Sequence, residues 1–149
     1  MKYMLIMRDS DAAIAASRDI PFEEILNRMG AYNEALHDAG VLLSAEGLTD
    51  PGEEVNFVVD FDDDPPLVTD GPYGETHELF NGFWILEVSS KQEAIEWASR
   101  CPLGPGSKLE VRRIHGEEAF EEFTDNEYVQ KEKVWREEAA ARRGAQQPE

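Results

Sequence analysis

Leu67-Val68-Thr69-Asp70-Gly71-Pro72-Tyr73-Gly74-Glu75-Thr76-His77-Glu78, running on into Phe80-Asn81-Gly82-Phe83-Trp84-Ile85, reads as two strands joined by a rigid turn. The first apolar stretch stops at Thr69, the turn is built from Gly71, Pro72 and Gly74, and a strongly apolar strand follows over Phe83 to Val88. Turns made only to reverse a chain rarely gather an acid, a phenol and two further carboxylates. Asp70, Tyr73, Glu75 and Glu78 are therefore candidates for a pocket as well as for a turn.

Upstream, residues 2–8 read as a buried strand. From Pro21 the apolar positions Phe22, Ile25, Leu26, Met29, Tyr32, Leu36 and Ala39 recur at helical steps. Pro21 suits the first turn, Glu23 and Glu24 favour its positive end, and Gly40 supplies a left-handed stop. Val41 to Leu48 is a strand, Asp50-Pro51-Gly52 a turn, and Val55 to Phe61 a strand with Val55, Phe57, Val59 and Phe61 on one face. Asp62-Asp63-Asp64-Pro65-Pro66 forms a charged hairpin tip, read as a solvated loop and not a metal site.

Downstream, Ser90-Lys91-Gln92-Glu93 has the capping-box spacing. It opens a helix with Ala94, Ile95, Trp97, Ala98 and Cys101 inward until Pro102. Lys108 to Ile114 is the last strand. From Glu117 a poorer helical stretch follows, with Thr124-Asp125-Asn126-Glu127 as a second cap and a frayed end after Ala139. The expected domains are 1–115 and a C-terminal helical extension over 116–149.

This order is α+β: a ferredoxin-like βαββαβ chain with an inserted hairpin, two helices on one face of an antiparallel sheet, and a C-terminal helix. The strands carry apolar residues on both faces, so the uncovered face calls for a second copy related by two-fold symmetry, a homodimer.

Composition narrows the function. The chain has 149 residues, with 32 Asp plus Glu against 14 Lys plus Arg and a formal net charge of -18. No Lys or Arg lies between Arg28 and Lys91, a stretch holding 14 of those acids. Direct nucleic-acid binding and polyanionic ligands are thereby disfavoured. No apolar run is long enough for a membrane, the opening residues do not make a signal peptide, and the single Cys101 fits a reducing cytoplasm. There is no Gly-rich phosphate loop, nucleophile elbow or zinc-spaced Cys/His set, so neither cofactor nor metal is expected.

Several pieces in order carry a family resemblance: Lys2-Tyr3-Met4-Leu5-Ile6, Met29-Gly30-Ala31-Tyr32-Asn33-Glu34, Ala39-Gly40-Val41-Leu42-Leu43, Glu46-Gly47-Leu48, Thr69-Asp70-Gly71-Pro72-Tyr73, Gly82-Phe83, Ala98-Ser99-Arg100-Cys101-Pro102 and Glu110-Val111-Arg112. Over residues 1–115 the chain resembles the YciI-like (YCII-related) family, in its DGPF branch. The resemblance implies a dimeric α+β barrel of ferredoxin-like subunits. It also implies, as the alternative reading, an accessory role beside alternative sigma factors, by protein contact.

In the YciI branch a His–Asp pair is the proposed acid–base machinery. Registering on Leu36-His37-Asp38-Ala39-Gly40 puts Met29 in the histidine's place, and registering on the residue before Pro102 puts Cys101 in the aspartate's. Neither side chain can shuttle a proton as that pair does.

The expected pocket is then lined by Tyr32, Glu46, Asp70, Tyr73 and Glu75, with Asp70 and Glu46 the candidate acid–base groups. Its expected ligand is a neutral or cationic organic molecule of modest size. The plainer readings are Asp70 as a cap of its own turn, Tyr73 as a packing ring, and Glu75 with Glu78 as solvated surface. His37 reads as a solvent-side residue near a helix end, and His77 with its acidic neighbours falls short of a metal frame. Cys101 reads as an unreactive thiol.

Overall fold

The computed structural model describes residues 1–49, 55–62, 64–70 and 78–145. Strand β1 (Lys2–Ser10) leads into a short helix α1 (Asp11–Ser17) and then helix α2 (Phe22–Asp38). Strands β2 (Leu42–Gly47), β3 (Phe57–Asp60), β4 (Leu67–Asp70) and β5 (Glu78–Glu87) follow. Helix α3 (Lys91–Ser99), strand β6 (Ser107–Arg113), a 3-10 helix over Glu117–Phe123 and helix α4 (Glu127–Ala145) complete the order. The fold is mixed α+β. Four strands form an antiparallel sheet in the order β2-β5-β1-β6, and β3 pairs with β4 in a separate two-stranded sheet.

β1 and β5 are the central strands, and their alternation sorts the side chains. Tyr3 and Leu5 of β1 and Trp84 and Leu86 of β5 point to one face. There they meet Tyr32 and Leu36 of α2 and Ala94 of α3, and Val41 and Val88 close the same core. Trp84 donates its indole N–H to Asn33 Oδ1 at 2.8 Å and meets the Tyr32 ring edge-on at 5.7 Å. The opposite face carries Met4, Ile6, Phe83 and Ile85, all half-buried, with Phe80 stacked on Phe83. Beside them an Arg8–Glu110 ion pair of 3.2 Å lies diagonally across β1 and β6.

Local signals account for most of the elements. Gly40, at φ +69°, takes the left-handed conformation after the Ala39 C-cap of α2. Ser90 Oγ caps α3 by accepting from Glu93 N. The Glu93 carboxylate reaches back one residue further than a capping box requires, to the backbone N–H and hydroxyl of Ser89.

The structure adds to the sequence expectations and corrects one of them at Ile95. The segment 11–17, not read as helix, forms α1: Ser10 Oγ accepts from Ala13 N, and an alanine-rich run follows. Ile95 is exposed, because the buried phase of α3 runs through Ala94, Trp97, Ala98 and Cys101 and leaves Ile95 off that line. The cap expected within Thr124-Asp125-Asn126-Glu127 is there: Asn126 Oδ1 accepts from the first N–H groups of α4, those of Tyr128 and Val129.

α4 also continues past Ala139 to Ala145. What carries it is not an apolar anchor but alanine propensity and four-residue ion pairs: Glu127–Lys131, Glu132–Arg136 at 3.2 Å and Glu138–Arg142 at 3.6 Å. The expected turn at Asp50-Pro51-Gly52 lies outside the described residues. The chain divides into two compact units, Met1–Ile114 and His115–Glu149. No helix among the described residues is long and apolar enough to cross a membrane.

Leu36 is fully buried between α2 and the sheet, whereas Ile95 is 46 % exposed. Denaturant titration should find Leu36→Ala less stable by about 2–5 kcal/mol. Ile95→Ala should lie within about 0.5 kcal/mol of the parent. Similar losses at both positions would contradict this helix phase.

Candidate functional site

The alternation that buries Tyr3 and Leu5 continues through Met7 to Asp9, so the end of β1 directs a carboxylate to the helix side of the sheet. A carboxylate placed there requires donors. One comes from a β-bulge. Met7 pairs with Gly82 but Arg8 pairs with Phe80, which leaves Asn81 as the extra residue on β5. A bulge re-aims the side chain it carries, and Asn81 Nδ2 donates to Asp9 Oδ2 at 2.9 Å. The second donor is Ser107 at the start of β6, whose hydroxyl donates to Asp9 Oδ1 at 2.6 Å.

Gly106 makes that approach possible. Its φ of +88° is open to glycine, and an added Cβ would lie 3.1 Å from Ser10 Oγ and 3.3 Å from Ala13 Cβ. The loop thus presses on the first turn of α1, and Ser10 N donates to Gly106 O at 3.4 Å.

Asp9 opens onto a cavity of about 390 Å³ between α1, the first half of α2 and residues 102–107. Met7, Ile20, Ile25, Met29, Pro102 and Leu103 give it apolar walls, and Asp9, Ser17, Arg28 and Ser107 give it polar groups. The cavity exists because the apolar stripe of α2 is buried only toward its C-terminal end, at Tyr32 and Leu36. Phe22 and Leu26 are exposed, and Ile25 and Met29 face the opening. Arg28 is bonded to Glu24, one turn earlier on α2.

The residues singled out from sequence fall elsewhere. Tyr32 is buried in the core, where its hydroxyl donates to Trp97 O at 3.0 Å and burial raises its phenol well above the ordinary range. Glu46 is exposed on β2 opposite Phe83, which places it on the other face of the sheet. The structure does not bring Tyr32 and Glu46 together. Asp70 ends β4 in register with Phe57, and Tyr73, Glu75 and His77 lie outside the described residues. His37 is exposed beside Asp38 at 3.3 Å. Among the described residues no group of three His, Cys, Asp or Glu could hold a metal ion.

Met29 lines the cavity, and Cys101 adjoins its wall residue Pro102. Burial pushes the Cys101 thiol up to about 12, which leaves it protonated and a poor nucleophile at neutral pH. Asp9 was absent from the sequence reading, which ended the first strand at Arg8. Extending the two-residue alternation by one step would have found it.

The family comparison agrees with this architecture. The YCII-related domain matches residues 1–117, and the chain belongs to that family. No curated protein matches the chain.

A raised thiol pKa stabilises the folded state below the pKa of the unfolded thiol, about 8.5, and that contribution is lost as pH rises toward the folded value. The parent melting temperature should therefore fall more steeply than that of Cys101→Ala between about pH 9 and about pH 11. Native Cys101 should also resist alkylation at neutral pH. Rapid labelling of the folded chain would contradict its burial.

Proposed function

We propose that this YCII-related protein binds a small neutral or cationic organic molecule in the cavity beside Asp9. The subunit is read as ferredoxin-like: β2-β5-β1-β6 is the sheet order of a split βαβ pair, with β3 and β4 as the inserted hairpin. The observation that carries the binding reading is Asp9 itself. Two donors from different strands fix its carboxylate at the edge of a cavity with apolar walls and a few polar groups, the usual make-up of a small-molecule site. With Met29 in the histidine's place, Asp9 is the group there able to accept a proton, so an acid–base step in this cavity falls to it.

The same reading makes the protein a homodimer, a dimeric α+β barrel. Support comes from the outer sheet face, where Met4, Ile6, Phe83 and Ile85 form an apolar strip, and from the exposed Phe57, Val59 and Val68 of the hairpin. Light scattering should return twice the 16.8 kDa chain mass, and Ile6→Glu should shift the protein to a folded monomer. A parent that is monomeric at micromolar concentration contradicts the dimer.

The cavity is tested by filling its mouth. Ser17 is an exposed lining residue on α1, and Ser17→Trp should abolish saturation transfer to phenethyl alcohol while leaving the circular dichroism unchanged. Undiminished transfer, or none to the parent, would overturn the binding site.

A further inference from the structure

Asp9 has no counter-ion among the described residues. Its oxygens accept from an amide and a hydroxyl, both neutral, and no ion pair to Asp9 forms among the described residues. A carboxylate offers about four acceptor positions, so both oxygens keep capacity after those two bonds. The facing walls are the side chains of Met7, Ile25, Met29 and Leu103, which cannot balance a charge. Arg28 lines the same cavity, where one guanidinium nitrogen bonds Glu24 and no bond from it to Asp9 forms among the described residues. A half-buried carboxylate of this kind is costly unless a cation meets it.

The geometry points to an organic ammonium compound as the ligand: a primary or secondary amine on a compact apolar body, its nitrogen donating to Asp9 Oδ1 and Oδ2. This rests on the cavity being the binding site and names the chemical class that the site takes. An ammonium group supplies both the charge and the donors that the carboxylate lacks, and the apolar walls receive its hydrocarbon. A bare metal ion fits poorly, since among the described residues Asp9 belongs to no group of three His, Cys, Asp or Glu that could hold one. An anionic ligand meets repulsion from Asp9 and from a chain of net charge -18.

Three probes with one body and different charge decide it: phenethylamine, phenethyl alcohol and hydrocinnamate, titrated calorimetrically into the full chain. Physiological ionic strength limits unspecific attraction to the acidic surface. The amine should bind tighter than the alcohol by on the order of tenfold, and the carboxylate most weakly. Asp9→Asn should bring the amine to the level of the alcohol and leave the alcohol within about twofold of its parent affinity. Ser17→Trp should abolish binding of both.

Equal affinities for amine and alcohol, both lost in Ser17→Trp, would overturn the amine assignment and leave the cavity reading standing. Amine binding that persists in Ser17→Trp would place the amine on the acidic surface and overturn the assignment. Failure of all three probes on the parent would overturn both readings. If Asp9→Asn does not fold, the parent ranking together with Ser17→Trp still decides.

Discussion

β1 is hydrogen-bonded on both sides, to β5 and to β6, and its two-residue alternation assigns each of its side chains to one of two environments. Tyr3 and Leu5 enter the helix-covered core, and Met4 and Ile6 face the other way. A slip of one residue would exchange the two sets, bringing Arg8 under the helices and Leu5 out of the core. The buried set therefore pins the register of the sheet, and α2 and α3 can settle only over the face it defines.

The same alternation accounts for the cavity. Carried one step beyond Met7, it sets Asp9 on the core side where helical cover thins, since α2 is buried only at Tyr32 and Leu36. An uncompensated carboxylate at that position would destabilise the end of the strand. The β5 bulge turns Asn81 toward it, and the left-handed Gly106 lets the following loop deliver the Ser107 hydroxyl. Three chain segments far apart in sequence thus meet on one side chain. The apolar residues around it include Met29 of α2, so the carboxylate at the end of the strand faces a largely apolar stretch of helix.

Much of the architecture was legible, because it rests on local signals. The helical stripe from Phe22, the glycine stop at Gly40, the Ser90 cap and the order of strands all come from short-range periodicity and turn chemistry. The family followed from dispersed motifs and agrees with the match over residues 1–117. What escaped depends on partners distant in sequence or on charge. The start of β5 at Glu78 follows from pairing with Ser10 rather than from apolar content. The length of α4 follows from four-residue ion pairs. The cavity escaped because a bulge cannot be read from composition, and because Tyr32, an attractive pocket residue, is committed to Trp84 and Trp97 in the core.

The proposed binding site sits where β1 ends, between α1 and the first half of α2. Backbone amide shifts measured during a titration with phenethylamine test it most directly. The account predicts that the largest changes fall on Asp9, Arg28, Met29, Asn81 and Ser107, with little movement at Glu46 or Thr69. Changes concentrated at Glu46 and at the Leu67–Asp70 strand, with Asp9 and Ser107 still, would contradict it.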